Sequence, residues 1–165
     1  MQNHLKKVLV TGASGYIASH CIKVLLEKGF KVKGSVRDLN KINIPKKFLE
    51  NSLYKSNFEF CQLNLLNDKG WNKALEDCEY LMHIASPCII KEPKMENDII
   101  APAVEGTLRA LHAAHKSKIK KVVLTSSIGA MAYGNENKIC QTSDWTDISK
   151  NVGTYIKSKT MAEKA

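Results

Sequence analysis

The feature that most constrains this chain is a glycine-rich turn between a strand pattern and a helix pattern. The segment reads Val-Thr-Gly-Ala-Ser-Gly-Tyr-Ile-Ala over residues 10–18. Gly12 permits a tight turn, Gly15 lets a pyrophosphate approach the backbone N–H groups at the helix start, and Ala18 leaves room for helix packing on a sheet. Because the strand, turn and helix come in the order that such a site needs, the segment predicts a dinucleotide phosphate site.

Apolar runs alternate with helical patterns along the rest of the chain. This alternation predicts the α/β class: a doubly wound parallel sheet, Rossmann-like, with helices on both faces. One helix should follow the glycine turn and end at a Gly29 cap, and another should run from about Ile99 to Lys116 with Asp98 as its cap. The predicted strands are Lys7–Thr11, Val32–Val36, Phe58–Gln62, Tyr80–Ile84 and Val122–Ser126.

Two irregular stretches, Ser86–Asn97 and Gly129–Gly153, directly follow predicted strands. In a parallel sheet such stretches lie over the carboxyl edge, where ligands of these folds bind. Long stretches without regular structure in a compact domain are usually functional. We therefore expect both to contribute to a site, the alternative being plain surface connections.

Composition narrows the possible partners. The chain has 165 residues, which fit one domain, and a net charge of +9, which raises the question of nucleic acid. Of its 25 basic residues only Arg37 and Arg109 are arginine, the residue type that reads bases and grips phosphate bidentately. We therefore expect no nucleic-acid partner.

Membrane and metal partners are also disfavoured. No apolar run approaches the ~20 residues of a membrane span, and Met1 to Lys7 carry no signal-peptide core, so we expect a cytoplasmic protein. The five cysteines have no paired spacing, which predicts free thiols and no metal site. His112 and His115 have no accompanying ligand cluster and are interpreted as a surface feature.

The end of the second predicted strand holds two candidates for nucleotide selection. Val36 continues the alternation of the strand, so Arg37 is the first residue past its edge and can meet a 2′-phosphate through its planar fork. If the strand ended one residue later, Asp38 would face the ribose hydroxyls instead. The first arrangement favours NADP and the second NAD.

Tyr155 and Lys159 lie four residues apart, and hence on one face of a predicted helix. An unperturbed tyrosine has a pKa near ~10. A neighbouring ammonium stabilises the phenolate and lowers that pKa toward the range useful for acid–base catalysis. The spacing also occurs in solvent-facing helices, but here it follows five strand patterns and a serine at a strand end. We therefore expect an acid–base pair.

Several more segments stand in order along the chain: Ser35–Asp38, His83–Pro87, Val104–Thr107, Leu124–Ser127 and Tyr155–Glu163. Together with the Gly-x-x-Gly-x-x-Ala spacing from Gly12, they resemble the extended short-chain dehydrogenase/reductase superfamily over the whole chain. Within it the likeness is to dihydroflavonol reductases, cinnamoyl-CoA reductases and microbial aldehyde or ketone reductases.

The resemblance implies an oxidoreductase that reduces an aldehyde or ketone to an alcohol with NADPH. Tyr155 would protonate the carbonyl oxygen, Lys159 would also hold the nicotinamide ribose, and Ser127 rather than Ser126 would orient the substrate. It also implies NADP rather than NAD, because the family places arginine at Arg37. The implied cofactor-binding residues are Gly12, Ser14, Gly15, Tyr16, Ile17, Arg37, Lys41, Asn64, Leu65, Ile84, Ala85, Ser86, Tyr155 and Lys159.

The chain departs from the family at three points. Asn64 stands where relatives usually carry aspartate near the adenine, although its amide oxygen can still accept a hydrogen bond. Ala132 stands where plant dihydroflavonol reductases carry a polar residue, which favours a smaller carbonyl substrate over a flavonoid. The chain also stops at Ala165, inside the helix of Tyr155, whereas family members are much longer. We therefore expect a Rossmann domain over 1–165 that lacks the C-terminal substrate-binding part.

Two rival functions remain. A nucleotide-sugar epimerase or dehydratase of the same superfamily would use the same tyrosine and lysine, although NAD-using epimerases tend to carry aspartate at the position of Val36. A non-catalytic NADP-sensing protein would keep the glycine turn but need not retain Tyr155, Lys159 and Ser127 together. The sequence predicts neither the particular substrate nor the oligomeric state.

Overall fold

The strands form one parallel sheet. A computed structural model describes residues 6–42, 56–89, 91–134 and 139–165. The strands are β1 (Lys7–Thr11), β2 (Lys31–Val36), β3 (Phe58–Gln62), β4 (Tyr80–His83) and β5 (Lys121–Leu124). Their order is β3-β2-β1-β4-β5, and each neighbouring pair is parallel. This confirms the predicted α/β, Rossmann-like fold.

Strand bounds differ slightly from the prediction. β2 begins one residue earlier, β4 ends at His83 rather than Ile84, and β5 is shifted toward Lys121. β4 stops early because the Thr11 hydroxyl accepts the N–H groups of Ile84 and Ala85. Since β5 pairs with β4 through His83 and Leu124, it ends at the same level.

The first helix, α1 (Tyr16–Glu27), ends at the predicted glycine cap. Gly29 has a φ of +79°, a left-handed conformation that glycine adopts without strain. Its N–H donates to the carbonyl of Leu26, and the N–H of Phe30 donates to that of Leu25, both at 3.0 Å. These two bonds form a Schellman motif, which satisfies carbonyls at the end of the helix.

Three further helices are α2 (Trp71–Leu75), α3 (Asn97–Lys116) and α4 (Thr154–Lys164). The prediction of Asp98 as the cap of α3 is wrong, because Asn97 is already helical and Asp98 lies in the first turn. The carbonyl of Glu96 instead accepts from Ile99 and Ile100, at 3.0 Å each. Two short 3₁₀ turns, 39–41 and 128–130, complete the regular structure that is described.

The chain divides into two compact units. The sheet unit comprises residues 1–85 and 110–125, and the helical unit comprises residues 86–109 and 126–165. Parts of three predicted segments lie outside the described residues. They are residues 1–5 of the N-terminal segment, residue 90 of the first irregular stretch and residues 135–138 of the second.

The core of the sheet unit lies on both faces of the sheet. The two faces of β1 alternate, with Leu9 in one apolar cluster and Val8 and Val10 in the other. The first cluster contains Trp71 of α2, and the second contains Ile22 of α1. A strand covered on both faces reads as a continuous apolar run, which is why β1 was recognisable in the sequence.

A charged cluster lies outside the apolar core of the sheet unit. Lys33, on β2, donates to Asp77 with an Nζ–Oδ1 distance of 2.6 Å, and Lys7 donates to Asp77 and to Glu59. Burial disfavours ionisation of Asp77, but the hydrogen bonds from Lys33 and Lys7 outweigh it and lower its pKa to about 2. The cluster thus ties β1, β2 and β3 to the segment after α2.

Candidate cofactor and catalytic sites

The glycine turn of the sheet unit approaches the segment after β4. Gly12 has a φ of +73°, and a Cβ built there would lie 3.2 Å from the Cα of Ala85. Both facts require glycine. The turn is held by hydrogen bonds from the Ala13 N–H to the Ser35 carbonyl and from the Gly15 N–H to the Gly12 carbonyl, at 2.8 Å each. Gly12 and Ala85, both predicted from the sequence, therefore lie together.

The start of α1 presents backbone N–H groups. Gly15 is its N-cap and offers no side-chain acceptor, and the first turn holds no acidic residue. The side chains of residues 14–17 are exposed, Tyr16 to 81%. An anion is stabilised at such a helix start by the first-turn N–H groups, which lack an internal acceptor, and by the positive end of the helix dipole. A cradle that a Cβ would fill and an uncapped helix start fit the pyrophosphate of a dinucleotide.

Thr11 is a structural determinant of this site that sequence reasoning missed. It is 1% exposed, and its Oγ1 accepts the N–H groups of Ile84 and Ala85 at 3.0 Å each. The same oxygen lies 3.0 Å from Nδ1 of His83. Thr11 therefore fixes the segment after β4 beside Gly12. The sequence signal that could have identified Thr11 is a hydroxyl at the last residue of a strand, directly before a glycine turn.

The two candidates for nucleotide selection differ in how their side chains are used. Arg37 follows β2 directly, its side chain is exposed, and its carbonyl accepts from Gln62 Nε2 at 2.9 Å. Asp38 caps its own 3₁₀ turn, because its Oδ1 accepts the N–H of Asn40 at 2.9 Å. Its Oδ2 lies 3.7 Å from Nζ of Lys41, whose side chain is 84% exposed. The Asp38 carboxylate therefore accepts one bond within the turn and keeps further acceptor positions.

Asn64, predicted near the adenine, follows β3 and is exposed, and Leu65 next to it is half-buried. The Asn64 amide oxygen accepts the N–H of Leu66 at 3.0 Å. An amide oxygen has two lone pairs, so one acceptor position remains beyond that turn. The sheet unit thus places Asn64 and Arg37 after neighbouring strands.

In the helical unit, α4 carries Tyr155 and Lys159. The hydroxyl of Ser127 and the thiol of Cys88 lie close enough to the Tyr155 hydroxyl to affect its pKa. Ser127 caps the 3₁₀ turn 128–130, since its Oγ accepts the Gly129 N–H at 3.1 Å. Two polar groups, the predicted Ser127 and the unpredicted Cys88, therefore lie near the Tyr155 hydroxyl.

The pKa of Tyr155 is shifted in the direction opposite to the prediction. The sequence predicted a lowered pKa for Tyr155, but burial and the neighbouring Cys88 raise it, and the hydrogen bond from Ser127 opposes this only in part. Burial also lowers the pKa of Lys159, which is 7% exposed, against the opposing effects of Cys88 and Glu163. Burial penalises the charged form of each group, so it disfavours phenolate and ammonium alike.

The two serines after β5 point to different partners. Ser127 meets Tyr155, whereas the hydroxyl of Ser126 donates to the carboxylate of Glu163, one turn after Lys159 on α4. Ser86, predicted as a cofactor contact, begins the helical unit and is half-buried. Cys88 was not predicted as a site residue. Its signal was its place in the irregular stretch that follows β4.

Neither a metal site nor a membrane span emerges from the described part of the chain. Within those residues, no group of three or more histidine, cysteine or acidic side chains is placed to hold a metal ion. No helix there is both long and apolar enough to cross a bilayer. The free cysteines are Cys21, Cys61, Cys78, Cys88 and Cys140.

A parallel sheet of this order, with a glycine turn joining its first strand to its first helix, defines a Rossmann-type nucleotide-binding domain. The model of the NAD dependent epimerase/dehydratase family matches residues 8–165. The chain belongs to this family, which lies within the extended short-chain dehydrogenases/reductases.

Similar proteins include several reductases. Cinnamoyl-CoA reductase CAD2 of Medicago truncatula is 37% identical over 96% of this chain and 51% of that protein. Dihydroflavonol 4-reductase of Gerbera hybrida is 35% identical over 96% of this chain and 45% of that protein. Gre2 from Candida albicans, solved in complex with NADPH, has a TM-score of 0.79 at 30% identity, over 97% of this chain and 51% of that chain. The chain thus spans about half the length of the curated relatives it matches.

Proposed function

We propose that this chain is the nucleotide-binding and proton-donating part of an NADPH-dependent reductase that converts a small aldehyde or ketone into an alcohol. The observation that carries the proposal is the placement of Ser127 close enough to the Tyr155 hydroxyl to affect its pKa, with Lys159 one turn further along α4. Similarity to cinnamoyl-CoA and dihydroflavonol reductases supports the reaction class, and similarity to Gre2 with NADPH supports the cofactor.

The cofactor would be held mainly by backbone and by a few charged side chains. The pyrophosphate would lie against the glycine turn and the start of α1, where Gly12 and Gly15 leave no room for a Cβ. The exposed Arg37 would meet the 2′-phosphate, with Lys41 as a second cation. Asp38 uses one carboxylate oxygen as a cap, so the preference for NADP over NAD rests on Arg37 and on the similarity to Gre2 with NADPH. When bound, the reduced cofactor supplies the hydride.

The chain's own residues would handle the substrate oxygen and its proton. Tyr155 donates the proton, since a phenol with an ordinary pKa near ~10 is already protonated at neutral pH. Its pKa is raised further by burial, so the transfer depends on groups that stabilise the phenolate as it forms. Ser127 orients the carbonyl through its hydroxyl. Lys159, buried one turn further along α4, would hold the nicotinamide ribose and offset the phenolate charge that forms when the proton leaves.

A second candidate is an epimerase or dehydratase, which the name of the matching family supports. Those reactions would use the same Tyr155 and Lys159. The apolar Val36 at the end of β2 favours the reductase, since NAD-using epimerases tend to carry aspartate there. A non-catalytic NADP sensor is the third candidate, and it would not need Tyr155, Lys159 and Ser127 together.

The test is NADPH consumption with a panel of small aldehydes and ketones. Tyr155→Phe should lower kcat by about 10²–10⁴-fold, because it removes only the proton donor, and should leave NADPH binding largely intact. Tyr133→Phe is the matched control, since this tyrosine is exposed in the same unit. Turnover that survives in Tyr155→Phe would contradict the proposed role of Tyr155.

A further inference from the structure

The segment after β4 holds the start of α4, the helix that carries Tyr155. Glu92 lies in this segment, and its Oε1 accepts the N–H of Thr154 at 3.1 Å. Thr154 is the first residue of α4, and Tyr155 is the second. A side chain 62 residues away in sequence therefore binds the backbone directly before the catalytic tyrosine.

The helix has no cap of its own at this end. Its N-cap is Gly153, which has no side chain, adopts a φ of +80° and lies in close approach to Glu92, because a Cβ there would be 3.1 Å from Oε1. The first turn of a helix leaves N–H groups without internal partners, and a negative charge there also interacts well with the helix dipole. Glu92 supplies both the missing acceptor and the charge.

A second contact joins the same two segments. Glu96 accepts from Nζ of Lys157 at 2.7 Å, and Lys157 lies between Tyr155 and Lys159 on α4. The Glu96 side chain is 57% exposed, so solvent screens this ion pair. The two segments also line an open, mainly polar cavity of about 650 Å³. The half-buried bond from Thr154 to Glu92 is therefore the more specific of the two contacts.

We infer that Glu92 is a positioning residue for Tyr155: by capping α4 it fixes the first turn and so the placement of the Tyr155 hydroxyl against Ser127. The inference rests on the proposed function in treating Tyr155 as the proton donor. On the other side of α4, Ile156 packs against Gly129, where a Cβ would lie 2.4 Å from its Cδ1. A shift of the first turn would therefore also disturb the packing against the turn that Ser127 caps.

The experiment compares Glu92→Ala and Glu92→Gln with Glu105→Gln, which removes an exposed carboxylate of the same unit. Amide hydrogen exchange at Thr154 and the ring-carbon signal of Tyr155, assigned with Tyr155→Phe, are measured by NMR on the whole chain. In Glu92→Ala, exchange at Thr154 should rise about tenfold, and the Tyr155 signal should move as it does in Ser127→Ala. Glu92→Gln keeps an acceptor oxygen and should stay close to the unmodified chain.

Kinetics give the second measurement. Glu92→Ala should lower kcat about tenfold, leave KM for NADPH unchanged, and be rescued by Glu92→Gln. If Glu92→Ala does not fold, Glu92→Asp replaces it in the experiment. Aspartate keeps the charge, but its carboxylate is one methylene further from the Thr154 N–H, so the Tyr155 signal should still move. A Tyr155 signal that is unchanged in the folded variants would overturn the inference. Turnover that survives in Tyr155→Phe would contradict the proposed function instead, since the NMR signals do not depend on activity.

Discussion

The sheet unit allows one stability prediction to be worked out in full, at Thr11. Replacing Thr11 by valine keeps the shape of the side chain and exchanges the hydroxyl for a methyl group. The hydroxyl oxygen accepts two backbone N–H groups, those of Ile84 and Ala85, at 3.0 Å each. Thr11→Val therefore leaves two donors without their acceptor and also removes the hydroxyl that lies 3.0 Å from Nδ1 of the buried His83, while it opens no cavity.

The size of the effect follows from the burial of those donors. A donor buried without an acceptor costs about 1–3 kcal/mol. Ile84 and Ala85 are half-buried, so water restores part of each lost bond, and we expect the free energy of unfolding to fall by about 2–4 kcal/mol in total. Domains of ordinary stability unfold at a cost of about 5–15 kcal/mol. The substitution should therefore remove a large share of the stability.

Urea unfolding is the assay. The midpoint should fall while the slope stays the same, and the melting temperature should drop by about 4–16 °C. Thr11→Ser is the matched control: it keeps the acceptor, loses one methyl group, and should cost only about 1 kcal/mol. Amide exchange at Ile84 and Ala85 should quicken in the valine variant alone. If valine and serine variants unfold within about 0.5 kcal/mol of each other, the hydroxyl does not hold this segment and the reasoning is refuted.

Three other perturbations test separate parts of the molecule. Asp77→Asn should lower the free energy of unfolding by about 1 kcal/mol, discounted because the carboxylate is half exposed. Since the pKa of Asp77 is lowered from 3.8 to about 2, the difference from the unmodified chain should be complete above pH 3.8 and vanish as the pH falls through about 2, as acid titrations of stability would show. Arg37→Ala should raise KM for NADPH about 10–100-fold and leave KM for NADH unchanged, and equal effects on both would contradict phosphate recognition. Burial is the main cause of the raised pKa of Tyr155 and Cys88 adds to it, so Cys88→Ala should move the alkaline fall in kcat to lower pH, whereas an unmoved profile would exclude the thiol.

Much of the fold could be predicted because its determinants are local. Strands covered on both faces read as apolar runs, and the cap at Gly29 depends on residues within one turn of it. The five-residue helix α2 has too few turns to show a helical period, which is why it was not predicted. Asp98 was chosen as a cap by residue type, whereas the helix start is decided by where the backbone turns.

The site was only partly predictable, because its supporting contacts join residues distant in sequence. Gly12 and Tyr155 stand in recognisable spacings, and the structure places both where such residues can meet a ligand or a polar partner. Thr11 and Glu92 bind backbone groups more than 60 residues away, and no pattern near either residue records its partner. The direction of the Tyr155 pKa was missed for the same reason: burial depends on the tertiary packing, whereas the lysine four residues on is visible in the sequence.

Three features of the sheet unit that look separate reduce to one packing requirement. The Thr11 hydroxyl takes the N–H groups that would otherwise extend the ladder of β4, so the strand ends at His83 and the chain turns toward Gly12. That turn brings the Cα of Ala85 to within 3.2 Å of where a Cβ on Gly12 would lie, so the residue at position 12 must be glycine. The early end of β4, the buried hydroxyl and the glycine therefore depend on one another. The glycine at position 12 therefore reflects the packing of the segment after β4 as well as the approach of a phosphate. The chain itself fills part of the space that the missing side chain leaves open.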